Sequence, residues 1–126
     1  IRETGRAWQR SFSNIASCGK AVIACAHGAC IGAGLEMLAA CDVRLCTRDA
    51  RFAMAEVDVA LAADVGGLQR FPKLVGNDSV VRELALSGRS FTAEDALRLG
   101  FVSRLCADRT ALLADGVALA AEVAQK

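Results

Sequence analysis

The sequence predicts an α/β protein in which short buried strands alternate with helices. Three observations carry that expectation. Ala21-Val-Ile-Ala-Cys25 is a short, unbroken apolar run with β-branched residues, the pattern of a strand covered on both faces. His27-Gly-Ala-Cys-Ile-Gly-Ala-Gly34 follows it as a glycine-rich turn, and Leu35-Glu-Met-Leu-Ala-Ala40 reads as a helix ending before Asp42. Strand, glycine turn and helix N-terminus in that order point backbone N–H groups at a place where an anion can be held.

The remaining elements follow in chain order. Ala7, Trp8, Phe12, Ile15 and Ala16 recur at helical spacing over residues 6–17, and Cys18-Gly-Lys20 breaks the pattern before the first strand. Val43-Arg-Leu-Cys46 reads as a second strand and Arg51-Phe-Ala-Met54 as a third. A loop bearing Glu56 and Asp64 leads to Gly66-Gly67 and a helix over Leu68–Val75. Gly76-Asn-Asp78 closes that helix, and Asp78 or Ser79 is expected to cap another running through Leu86. Thr92-Ala-Glu-Asp95 resembles a capping box, with Asp95 in the usual Glu/Gln place, opening a helix from Ala93 to Leu99. Gly100 ends it, Phe101-Val-Ser103 reads as a short strand, and Thr110 opens a final amphipathic helix to about Ala124.

Composition bounds the setting. The 126 residues fit one domain, yet 54% are hydrophobic and mean hydropathy is +0.35, high for a self-contained soluble domain. Some of that apolar surface is expected to lie against other parts of a longer protein or other subunits rather than a lipid-like ligand. The chain opens at Ile1 with no basic-then-apolar signal segment and reads as a piece of something longer. Net charge is +1, the fifteen basic residues are scattered and stacking side chains number five Phe and one Trp, so there is no nucleic-acid footprint. Ala21–Cys41 is apolar enough to suggest a membrane span, but Glu36 in its second half and the glycines fit strand, turn and helix better. The six cysteines form no Cys-x-x-Cys pair and His27 is the single histidine, so small buried thiols, and no metal site, are expected.

The acids are the features with chemical content. Glu56 and Asp64 stand eight residues apart in an apolar stretch, and Glu36 follows the glycine turn. Charges are costly in such surroundings, so buried acids with displaced pKa values and proton-moving work are expected. Glu36 also reads as an acid favoured by a helix macrodipole, His27 as a structural spacer, and Asp58, alternating with Val57 and Val59, as exposed.

The order Ala21-Val-Ile-Ala-Cys-Ala-His-Gly-Ala-Cys-Ile-Gly-Ala-Gly-Leu-Glu36, Ala40-Cys-Asp-Val-Arg44, Phe52, Glu56 and Gly66-Gly-Leu-Gln-Arg70 resembles the crotonase superfamily, the enoyl-CoA hydratases and isomerases. Ser87-Gly-Arg-Ser-Phe-Thr-Ala-Glu-Asp-Ala-Leu-Arg-Leu-Gly-Phe-Val-Ser-Arg104 is similar to the family's later signature, so the resemblance covers nearly the whole chain. It implies a crotonase-like ββα spiral, with residues 1–126 as a single partial domain from its centre; the family's N-terminal strands and C-terminal trimerisation helices lie outside the sequence. It implies an acyl-CoA thioester partner, with coenzyme A part of the substrate and no separate cofactor, and a homotrimer or hexamer. The thioester oxygen would be held by two backbone N–H groups, one mapping onto Ala33 where the family usually has Gly, beside a substrate-binding turn of Gly28, Gly32 and Gly34.

Within the family, hydratases usually carry glutamates at the positions of Glu36 and Glu56. Dienoyl-CoA isomerases add an aspartate at the position of Asp64, within a segment this chain matches from Glu56 to Gly66 except that Ala60 replaces glycine. They resemble one another in having Asp at the position of Glu36, where this chain departs. The implied catalytic set is therefore Glu56, Asp64 and Glu36, and the implied activity is conversion of a 3,5-dienoyl-CoA to the 2,4-isomer in unsaturated fatty-acid oxidation. The alternatives are enoyl-CoA hydration or a non-catalytic binding role. The implied compartment is a mitochondrion or peroxisome-type organelle for a eukaryotic source and the cytoplasm for a bacterial one.

Overall fold

The computed structural model describes residues 2–126. Helix α1 (Arg2–Ser17) precedes β1 (Ile23–Ala26), β2 (Ala29–Ile31), α2 (Ala33–Leu38), β3 (Val43–Thr47) and β4 (Arg51–Ala53). A 3-10 helix (Glu56–Val59) then leads to α3 (Gly67–Val75), α4 (Asp78–Ser87), β5 (Phe91–Thr92), α5 (Ala93–Arg98), β6 (Arg104–Cys106) and α6 (Arg109–Val123).

The strands form two small sheets. One has the order β1-β3-β6 and is parallel throughout; the other has the order β2-β4-β5, parallel between β2 and β4 and antiparallel between β4 and β5. The chain leaves the first sheet at Ala26 and enters the second at Ala29, turning at Gly28, whose φ of 61° is unfavourable for a side chain. It repeats the step from β3 to β4, so each strand–strand–helix turn gives one strand to each sheet. This is the spiral repeat of the crotonase fold.

An aromatic cluster closes the core. Phe71 and Phe101 have ring centroids 4.6 Å apart, Phe52 and Phe91 5.4 Å apart, and all four are buried with Leu35, Met54 and Leu84. Beside it the buried Arg44 guanidinium donates from Nε to the Phe101 carbonyl at 2.6 Å and from Nη1 to the Cys41 carbonyl, satisfying its charge with carbonyl dipoles. On the first sheet, α6 seats Leu112 against Leu45 and Cys106, and brings Gly116 against Cys25, where a methyl would stand 2.5 Å from Sγ.

Several expectations are corrected. Strand β2 occupies the middle of the predicted glycine turn, and the two-residue β5 was not predicted. The strand placed at Phe101–Ser103 lies at Arg104–Cys106, because the N–H groups of Phe101 and Val102 turn back to the Ala96 carbonyl at the end of α5. Asn77, not Asp78 or Ser79, caps α4, accepting from the Val80 N–H, and Asp108 caps α6. That last helix is apolar around its circumference rather than amphipathic, with Leu112 buried but Leu113 and Val117 exposed. Of the free cysteines only Cys46 and Cys106 are buried; Cys25, Cys30 and Cys41 are partly covered and Cys18 is exposed. Among the described residues no helix is long and apolar enough to cross a membrane.

Candidate active site around the Glu36 carboxylate

The glycine turn makes room for two acids. Gly32, with φ 56° and ψ −123°, swings the chain from β2 into α2, and a Cβ there would stand 2.9 Å from Glu56 Oε1. The turn therefore needs glycine both for its backbone and for the carboxylate against it. Gly34 carries no such demand, since its added Cβ would meet only Cys30 Sγ at an ordinary 3.6 Å. Helix α2 begins at Ala33, two residues earlier than predicted, which makes the Ala33 N–H a first-turn donor with no intrahelical acceptor. Ala33 lines a shallow cleft with Trp8, Phe12 and Met37.

Glu36 is the buried acid, 2% exposed. Its Oε1 accepts from the Gly67 N–H at 2.9 Å and its Oε2 from the Val65 N–H at 3.2 Å. The carboxylate thus meets the N-terminus of α3 rather than only that of its own helix. Burial pushes its pKa up, the Gly67 N–H bond opposes this, the Glu56 charge pushes further up, and the Val65 bond and the Asp64 charge add smaller effects of opposite sign.

Glu56 opens the 3-10 helix directly after β4 and is half-buried. Among the described residues its buried Oε2 has no hydrogen-bond partner. It stands in the wall of a cavity of about 460 Å³ whose other walls include Met54, Val57, Leu61, Leu68, Pro72 and Leu86. An acid with an unengaged buried oxygen beside an apolar cavity can exchange a proton with a greasy ligand.

The burial expected of Asp64 is corrected: its side chain is exposed. Ala63 and Val65 are buried on either side of it while Asp64 faces out, so apolar neighbours in sequence do not bury this acid. It borders a shallow cleft between α1 and α3 with Ser13, Gln69, Arg70 and Lys73, not the cavity beside Glu56. Asp58 is exposed as predicted; His27, expected as a structural spacer, stands exposed at the β1–β2 corner.

Sequence reasoning missed Gln9 and Arg70. Gln9 Nε2 donates to the Asp64 carbonyl at 2.7 Å across 55 residues, a contact with no local sequence signal. Arg70 Nη1 donates to the Val65 carbonyl at 3.3 Å and folds over Gly66, whose φ is 113°. Among the described residues no three His, Cys, Asp or Glu side chains gather in a way that could hold a metal ion.

Two small sheets, one parallel and one mixed, that share the chain strand by strand, with an acid just after the glycine turn and another shortly after β4, define a crotonase-type scaffold. The family model described as enoyl-CoA hydratase/isomerase matches residues 2–126, and the chain belongs to that family. Over 126 residues it is 48% identical to the mitochondrial Delta(3,5)-Delta(2,4)-dienoyl-CoA isomerase of Mus musculus, covering all of this chain and 38% of that protein. It is 43% identical over 112 residues to the peroxisomal Delta(3,5)-Delta(2,4)-dienoyl-CoA isomerase of Arabidopsis thaliana, covering 89% of this chain and 40% of that one. A crystal structure of a Thermobifida fusca putative enoyl-CoA hydratase in complex with acetoacetyl-CoA superposes with a TM-score of 0.92 at 30% identity, over 99% of this chain and 48% of that one. The chain therefore spans well under half the length of the curated relatives it matches.

Proposed function

We propose that this chain carries the acid–base centre of an isomerase that moves the double bonds of a 3,5-dienoyl-CoA to the 2,4 positions. The observation that carries the reading is Glu56, whose unengaged buried oxygen stands beside the apolar cavity at the head of a segment that matches the dienoyl-CoA isomerase pattern through Asp64 to Gly66.

The reaction needs a proton taken from C2, beside the thioester, and one returned at C6. Glu56 takes the C2 proton, and the C–H electron pair moves into a trienolate (C1=C2, C3=C4, C5=C6) whose negative charge rests on the thioester oxygen. Collapse of that charge forms the 2,3 and 4,5 double bonds as a proton returns to C6 from Asp64, so substrate and product have the same composition. The Ala33 N–H is one donor to the thioester oxygen, worth about 3 kcal/mol in barrier. The apolar cavity beside Glu56 fits an acyl chain, and the exposed Leu113 and Val117 of α6 fit burial in a trimer or hexamer. A mitochondrial or peroxisome-type compartment agrees with the two eukaryotic relatives.

Glu36 favours a second reading, since hydratases use glutamates at this position and that of Glu56 to orient a water across a 2,3 double bond. Supplying the full-length protein with a 3,5-dienoyl-CoA and a 2-enoyl-CoA separates the two. Consumption of the dienoyl thioester with rise of the 2,4-diene chromophore is expected; hydration of the enoyl thioester alone would replace the isomerase reading. Acyl-CoA binding with neither conversion would point to a binding protein.

A further inference from the structure

The peptide unit joining Asp64 to Val65 is held at both polar ends by side chains from distant elements. Its carbonyl accepts from Gln9 of α1 at 2.7 Å, and its N–H donates to Glu36 of α2 at 3.2 Å. Two residues on, the Gly67 N–H donates to the other oxygen of the same carboxyl at 2.9 Å, and between them Arg70 holds the Val65 carbonyl at 3.3 Å. None of these bonds belongs to a strand ladder or to a helix's internal repeat. The turn keeps its shape because side chains supply the partners its backbone lacks.

Glu36 is poorly placed to trade protons with a ligand. Its side chain is 2% exposed and each of its oxygens faces a peptide N–H. A general acid or base must present a lone pair or proton to the reacting atom within hydrogen-bond reach. Glu56, with an unengaged buried oxygen beside the cavity, meets that condition better.

We propose that Glu36 and Gln9 are positioning residues that clamp the Asp64–Val65 peptide and so fix where the Asp64 carboxyl points, and that Glu36 exchanges no proton with substrate. The inference rests on the isomerase reading for the role of Asp64.

The test uses the full-length protein and three variants. Glu36→Gln keeps one acceptor oxygen for the turn, Glu36→Met keeps the length and no acceptor, and Gln9→Leu removes the bond to the carbonyl. The expected result is a graded loss of kcat with KM little changed, roughly tenfold for Glu36→Gln, comparable to losing one charge-assisted bond, and clearly larger for Glu36→Met. Gln9→Leu should fall in the same direction, and the pH–rate profile of Glu36→Gln should keep both limbs. Amide exchange at Val65 and Gly67 should accelerate in both Glu36 variants. Equal silencing by Gln and Met with loss of one limb of the profile would overturn the proposal, as would unchanged exchange at those two amides. Should Glu36→Met fail to fold, the profile of Glu36→Gln and the exchange data decide alone. A wild-type protein that does not isomerise would end the isomerase reading, while exchange at Val65 and Gly67 would still report on the clamp.

Discussion

Gly67 donates its N–H to Glu36 Oε1 at 2.9 Å, and a methyl group on Gly67 would stand 2.5 Å from that same oxygen. The glycine is thus both partner and clearance for the buried acid. Replacing it with alanine forces the carboxylate off its donor or shifts the first turn of α3. Gly67→Ala is expected to lower stability by about 1–3 kcal/mol, the range for a buried polar group losing a partner. Urea unfolding measures this, and an unchanged midpoint would show that the carboxyl swings aside at no cost.

The same acid sets a pH dependence. Burial is the largest reason its folded pKa lies above the unfolded value of 4.5. An acid whose folded pKa is raised adds stability that is complete below the unfolded value and is lost as pH rises through the folded one. The stability of the wild type relative to Glu36→Gln should therefore be greatest near pH 4 and decline toward neutrality. Denaturation of both proteins across that window checks the sign; a difference that grows with pH would contradict it.

Asp64→Asn removes the proton that the proposed chemistry returns to C6. The variant should bind the thioester as the wild type does while isomerisation falls by about 10²–10⁴-fold, the usual scale for a general acid. Turnover of a dienoyl-CoA with titration of a non-reacting analogue separates the two effects. Full isomerase activity in Asp64→Asn would refute the two-acid scheme. The exposed Asp64 carboxyl also requires the acyl tail to pass over the 62–66 turn, which a dienoyl-CoA analogue bound to the full-length protein would display directly.

Thiol reactivity should follow the fold. Burial pushes the Cys46 thiol to about 12 and the Cys30 thiol to about 11, whereas Cys18 lies exposed after α1. The thiolate is the reactive form, so a maleimide or aromatic disulfide at pH 8 should label Cys18 first and Cys46 only on unfolding. Early labelling of Cys46 would mean that the β3 region opens readily.

What could be read from the sequence divides along a physical line. Features encoded by near neighbours were legible. The run at residues 21–25 anticipates β1, and Thr92 and Asp95 exchange both bonds of a capping box, with Oγ1 accepting from the Asp95 N–H at 3.0 Å. The crotonase fold was legible as a resemblance, because the motifs of Ala21–Glu36, Gly66–Arg70 and Ser87–Arg104 stand in the family's order along the chain. Strand β2 escaped because three residues between two glycines hold too little pattern to outweigh the turn signal. The three acids could be named from the sequence, but not sorted: which one is buried depends on Val65 and Gly67 meeting Glu36 across about thirty residues, a long-range contact that no local window encodes.

Ala60 is the only non-glycine residue with positive φ among the described residues, at φ 58° and ψ 33°, and it lies midway between Glu56 and Asp64. An L-residue held there sits roughly 1–2 kcal/mol above its relaxed backbone state. Where the isomerase pattern has glycine, this chain has kept a spring. The linkage between the two acids is held in a conformation its own torsions disfavour, so a ligand whose binding lets Ala60 return to negative φ recovers that energy.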